Sequence, residues 1–276
     1  MKLVKELPKS IYYSIYYRLK QAKRLTKNKN NIPVLVSLTS IPSRLPTLDI
    51  VIKSLLNQSV LPEKIILWLH TDLKNKLPRK LNILQSDLFE IKYSKLTCSH
   101  RKLIHTLEEN PTNIIVTCDD DLIYNINWLK NIYNEHIQYP NSIIANKATQ
   151  IKMDEDNNYK PFIHWRKKEE SNLKNYLLPI GAWGILYPPN AMSKTIFDEN
   201  LFLKLAPKAD DLWFKSMSLL NNTISREAVH KTREPIPIIG SQKESLKKEN
   251  VKLNKNEIQW NALSNHFNLK AILLND

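Results

Sequence analysis

Three adjacent carboxylates, Asp119, Asp120 and Asp121, close a short apolar run, Ile114-Ile115-Val116-Thr117-Cys118, whose β-branched residues predict a buried strand. Like charges side by side repel, and burying them without a cation or hydrogen-bond donors is costly. At the carboxyl end of a strand in an open α/β sheet they stand where such sheets bind ligands. A divalent cation bridging them to a diphosphate accounts for the arrangement. An acidic loop in water is the plain alternative. Lys102, in the basic cluster Ser99-His100-Arg101-Lys102, lies near a predicted helix start, where the helix dipole disfavours positive charge. That placement makes sense if the lysine faces a diphosphate, the alternative being a solvated side chain. Asp210 and Asp211 open another predicted helix just before Trp213 and Phe214, where acids suit the dipole. Of only three glycines, two, Gly181 and Gly184, flank Trp183. The pair serves close backbone approach or unusual dihedrals, or else a purely structural turn.

The elements that must position these residues alternate from Asn31 onward, the mark of an α/β sheet. Strands are expected over Pro33–Leu38, Lys64–Leu69, Phe89–Tyr93, the acid-tipped run, Ser142–Asn146 and Ile224–Val229. Helices are expected over Leu48–Leu56, Leu77–Leu84, Ser99–Glu108 with Ser99 as its cap, Trp128–His136, Ala209–Leu220 and Glu257–Phe267. Lys152–Asn175 is charged and amide-rich and predicts an exposed excursion, and Ser241–Lys255 a lysine-rich linker. The organisation is a basic amphipathic segment (1–31), a domain over 32–240, and a linker with a terminal helix over 241–276.

Composition narrows the chemistry. So few glycines leave no GxGxxG and no Walker A pattern, so a nucleotide must be held by side chains, ordinary turns and a metal. Two cysteines, Cys98 and Cys118, are too few for a disulfide framework or a zinc site. The net charge of +14 suits a polyanion or an anionic surface. Nine basic residues and one acid, Glu6, lie between Met1 and Asn30, interleaved with Ile11, Tyr12, Tyr13, Ile15, Tyr16 and Tyr17. That mixture fits a helix on anionic lipid, or a helix packed on the domain with its lysines in water. Nucleic acid is disfavoured, because no recognisable module carries the charge. With no secretory signal and no span-length apolar stretch, the expectation is a cytoplasmic protein, peripheral on the inner face of the membrane.

Five features together resemble the bacterial family 2-like glycosyltransferases with the GT-A fold. They are Ser37-Leu38-Thr39-Ser40-Ile41-Pro42-Ser43-Arg44 after the first strand, the helix with Lys102, Asp119-Asp120-Asp121, Gly181-Ala182-Trp183-Gly184, and Ala209-Asp210-Asp211-Leu212-Trp213. The resemblance covers roughly residues 32 to 240. It implies a Rossmann-like, mostly parallel central sheet flanked by helices. It implies a metal-dependent hexosyltransferase that moves one sugar from a nucleotide-sugar, a UDP-sugar, to a glycan or lipid-linked acceptor such as lipooligosaccharide or capsule, with inversion. The chain lacks the Gln-x-x-Arg-Trp motif of the polymerising branch, which favours addition of a single sugar.

The resemblance also implies roles. Asp121 ligates Mn²⁺ or Mg²⁺, Asp119 contacts the metal or the ribose, and Asp120 points to solvent or a backbone donor. Any of the three acids could lead the motif. Thr39, Ser40 and Arg44 hold the nucleoside, Arg44 by stacking on a base or forking onto phosphate, unless it is a surface arginine. Asp211 is the general base for the acceptor hydroxyl, and Asp210 caps the helix. Trp183 is a sugar-stacking platform or a core tryptophan. His230 supplies a third metal ligand or is structural. A nucleotidyl- or phosphotransferase is the alternative enzyme. Such enzymes usually carry a glycine-rich or lysine-bearing loop after the first strand, and Ser40–Arg44 lacks glycine. A non-catalytic glycan-binding protein of the membrane surface is the other alternative.

Overall fold

The computed structural model describes residues 2–166, 174–241 and 254–275. Among these residues seven strands form one sheet: β1 (Asn31–Thr39), β2 (Leu61–His70), β3 (Phe89–Ser94), β4 (Ile114–Thr117), β6 (Ile143–Ala145), β9 (Ile185–Tyr187) and β10 (Ser225–Glu227). Their order across the sheet is β10-β6-β9-β4-β1-β2-β3. β1 pairs in parallel with both β2 and β4, β2 with β3, and β10 with β6. β9 alone runs against its neighbours β4 and β6. Two short pairs, β5 (Leu122–Ile123) with β11 (Ile236–Pro237) and β7 (Ala148–Gln150) with β8 (Leu177–Pro179), stand outside the sheet. The expected α/β class with a mostly parallel, helix-flanked sheet is what is observed.

Alternation along β1 divides the core. Val34, Val36 and Leu38 face one apolar cluster, shared with α3 (Leu45–Leu56) and α6 (Trp128–Gln138). Leu35 faces the other, shared with α5 (Arg101–Glu109), α7 (Glu199–Leu205), α8 (Asp210–Leu220), α9 (Lys255–Phe267) and α10 (Leu269–Leu274). Helix α1 (Lys2–Leu19) and the short α2 (Ala22–Leu25) add Tyr17 and Leu25 to the first cluster. Among the described residues no helix is long and apolar enough to cross a membrane.

Differences from the sequence reading are local. Leu77–Leu84 forms only the single turn α4 (Arg79–Asn82). His100 rather than Ser99 stands at the start of α5, with no side-chain cap. Most of Ser241–Lys255, and 167–173 of the Lys152–Asn175 excursion, lie outside the described residues. From β1 the chain steps outward to β2 and β3 and then returns to β4 on β1's other side. This reversal places the switch point of the strand order at the carboxyl ends of β1 and β4, the usual ligand position in open α/β sheets. Because β9 is reversed, the turn that precedes it arrives at that same edge.

Gly184 in that turn has φ +97°, and a Cβ there would lie 2.5 Å from the Trp128 ring. The ring cannot retreat freely, because its Nε1 donates to the Trp183 carbonyl at 2.7 Å. Gly184→Ala therefore combines a left-handed backbone with overpacking. The expected loss is about 2–4 kcal/mol of stability, read by urea unfolding.

Candidate functional site

The side chains of β1 that face α5 fix the start of that helix. The Ser37 hydroxyl donates to the Lys102 carbonyl at 2.5 Å and lies 2.8 Å from Thr106 Oγ1. Arg101 is buried and donates to the Leu96 carbonyl at 2.5 Å, the Ser40 carbonyl at 2.6 Å and Thr39 Oγ1. The Thr39 hydroxyl in turn donates to the Trp68 carbonyl at 2.9 Å. The loop after β1 is thus bound to the first turn of α5, and Lys102 is brought to the carboxyl end of the sheet.

Within the acid triplet, Asp120 departs from its expected placement. Asp120 is buried, not solvated: Ser40 Oγ donates to its Oδ2 at 2.5 Å, and Arg44 Nη1 donates to its Oδ1. Arg44 Nη2 reaches Asp121 Oδ2 at 3.0 Å, and Arg44 Nε donates to the Ser241 carbonyl at 3.3 Å. Arg44 is therefore not a free surface arginine; it closes the β1 loop onto the acids. Burial raises the Asp120 pKa, against the opposing Arg44 and Ser40. Asp119 is the most open of the three, with a side chain 34% exposed. Its backbone N–H donates to Tyr124 Oη at 2.8 Å, and that hydroxyl lies 3.2 Å from the Ala182 carbonyl.

Lys102 is the other centre of charge. Its side chain is 5% exposed and reaches Asp119 Oδ1 at 3.2 Å and Asp210 Oδ2 at 3.0 Å. Burial alone would lower its pKa, but Asp210, Asp119 and Asp211 together raise it well above the ordinary value, so it is an ammonium. Asp210 does not cap α8. Ala209 holds that position, and Asp210 lies against Lys102, whose charge overcomes burial and lowers the carboxyl pKa. Asp211 accepts the Gly181 N–H at 3.1 Å. Burial first, then neighbouring Asp210, push Asp211 up to about 7, although Lys102 and the Gly181 N–H oppose them. A Cβ on Gly181 would lie 2.8 Å from Asp211 Oδ1 and 3.5 Å from Lys102 Nζ. The bare glycine is what lets the acid, the ammonium and the turn meet.

The remaining candidates lie at the margin. Trp183 is half-buried, with Lys147 Nζ 4.6 Å from its ring centroid. His230 is exposed on the turn after β10. Among the described residues no three His, Cys, Asp or Glu side chains converge to hold a metal ion, so Asp119, Asp121 and His230 are not assembled as a ligand set. The chemistry of the acids nevertheless fits a hard cation. Four carboxylates, Asp119, Asp120, Asp121 and Asp210, are paired with only two cations, Arg44 and Lys102, and Asp211 adds a fifth acid beside them. Mg²⁺ is commonly held by one or two carboxylates together with substrate phosphates rather than by an all-protein cage. Sequence reasoning missed Tyr124, which ties Asp119 to the Ala182 carbonyl; the available signal was a hydroxylated aromatic in the apolar stretch just after the acids.

No family model and no curated protein matches the chain. Among solved structures it is similar to 4-diphosphocytidyl-2C-methyl-D-erythritol synthase from Anaerococcus prevotii, with 12% identity, 84% of this chain and 99% of that one covered, and a TM-score of 0.46. It is also similar to CMP:2-keto-3-deoxy-manno-octonic acid synthetase complexed with CTP, with 9% identity, 83% and 100% coverage, and a TM-score of 0.41. The expected transfer of a sugar from a UDP-sugar to a surface glycan is not the activity that either of these proteins is named for. Both likenesses are distant and bear on the fold alone.

Lys102→Met removes the cation shared by Asp119, Asp210 and Asp211. Breaking a buried pair from one side costs about 3–5 kcal/mol. Lys102 holds Asp210 below its unfolded pKa, a stabilisation present above the ordinary carboxylate range. Urea unfolding should therefore show the full deficit at pH 8 and a shrinking one only as pH falls below about 4.

Proposed function

We propose that this chain is a nucleotide-dependent transferase of the nucleotidyl-transferring kind, working at the carboxyl ends of β1 and β4. The observation that carries the reading is the placement of Lys102. The loop after the first strand has neither glycine nor lysine, and its arginine is bound to Asp120 and Asp121. The Ser37 contact brings a lysine to the same edge from α5 instead. A buried ammonium beside a partly open carboxylate suits a polyphosphate, whose oxygens can share Lys102 with Asp119.

In the proposed reaction an acceptor oxygen attacks the α-phosphorus of a nucleoside triphosphate. The new P–O bond replaces the bond to the bridging oxygen, and pyrophosphate leaves with that electron pair. The acceptor proton passes to Asp211, whose pKa of about 7 suits a general base near neutral pH. Asp210, held ionised by Lys102, keeps the ammonium in position. Mg²⁺ or Mn²⁺ would be held by Asp119 and Asp121 together with the phosphates, and would neutralise charge on the leaving group.

The test measures pyrophosphate release from each of the four common nucleoside triphosphates, with sugar phosphates and acidic sugars as acceptors. Acceptor-dependent pyrophosphate release is the expected result. Nucleoside diphosphate release from nucleotide sugars without pyrophosphate chemistry would overturn the reading. For wild type, kcat should rise with pH and level off above about 7. Asp211→Asn should lose that rising limb and about 10²–10⁴-fold in kcat, with nucleotide affinity unchanged.

A further inference from the structure

Helix α1 has two faces of different character. On the inner one Ser10 and Tyr17 are buried. The Ser10 hydroxyl donates to the Pro237 carbonyl at 2.6 Å, Asn57 Nδ2 donates to Tyr17 Oη at 3.3 Å, and Lys53 Nζ donates to the Tyr17 carbonyl at 2.9 Å. On the outer face Leu7, Ile11, Ile15 and Leu19 recur at every fourth position, with exposures of 43, 45, 53 and 79%, and Tyr12 beside them is 63% exposed. A surface helix that only packs on its own domain places polar residues there. Lys9, Arg18, Lys20, Lys23 and Arg24 are exposed on the same helix and just beyond it, and Glu6 is the only acid before Asn30.

We propose that the outer face of α1 lies on an anionic lipid surface. The stripe enters the boundary of the acyl chains, Tyr12 sits at headgroup level, and the lysines and arginines meet the lipid phosphates. Positive charge with Glu6 as its one acid selects this occupant over a second copy of the chain, whose identical basic helix would repel it. The reading is independent of the reaction proposed above. It has a geometric consequence for the site. Ser10 grips Pro237 of β11, β11 pairs with β5 just after the acids, and the Ile238 N–H donates to the Asp121 carbonyl at 2.9 Å. A helix held on a bilayer would thus hold the acid loop near it.

The full chain is sedimented with vesicles of phosphatidylcholine alone and of phosphatidylcholine mixed with phosphatidylglycerol. Binding to the anionic vesicles, weakened by salt and absent with phosphatidylcholine alone, is expected. The double variant Ile11→Glu, Ile15→Glu should lose about tenfold or more in affinity, with unchanged thermal unfolding. Should it unfold, the charge variant Arg18→Glu, Lys23→Glu gives the same reading through surface residues. Failure of the wild type to bind, or unaltered binding by the folded variants, overturns the proposal. So does a wild-type dimer that the double variant splits without losing lipid.

Discussion

Everything at the carboxyl edge of this sheet depends on how two cations hold five acids. Lys102 stands among Asp119, Asp210 and Asp211, while Arg44 binds Asp120 and Asp121. The acids and the lysine would not remain ionised in an apolar interior alone. Each pair also joins segments distant in sequence: Arg44 closes the first loop onto the acid loop, and Lys102 joins the acid loop to the start of α8. The same charges that could serve a substrate are therefore structural cross-links. The two acids of α8 illustrate the division. The one against the ammonium stays ionised, while its neighbour, raised by burial and by that ionised acid, titrates near neutrality. Adjacent residues on one helix turn thus acquire opposite shifts from what each one faces.

The strands were legible because their β-branched runs end in abrupt changes of residue type, and the acid tip fell where the sheet reverses its strand order. Partners were not legible. An arginine within a loop carries no mark of whether it meets a substrate phosphate or its own chain's carboxylates. Asp210 has the composition of a helix cap, yet Lys102, more than one hundred positions earlier, claims it. Leu122 and Ile123 are too few to show period-two alternation, and their partner strand β11 lies far along the chain. The glycine pair was readable as a place of close approach, but not which side chain approached.

The N-terminal segment shows a similar ambiguity resolved by position. A basic helix with interspersed aromatics is compatible with packing or with a lipid surface, since both require an apolar face. Here the buried Tyr17 and Ser10 account for one side of α1, and the Leu7-to-Leu19 stripe is left over on the other. One helix carries two apolar surfaces, which a single measure of amphipathicity averages together.

The reversed direction of β9 has a kinetic meaning. An antiparallel strand begins where its parallel neighbours end, so its leading turn supplies Gly181 to a rim otherwise made of strand tails. Contacts there join residues near 40, 102, 120, 181 and 210, separations that make loop closure slow and place such contacts late in folding. Until β9 inserts between β4 and β6, Asp211 lacks its backbone donor and the acids lack a common enclosure. Maturation of the rim thus reports completion of the centre of the sheet, and a nascent chain cannot display this edge before its last central strand has arrived.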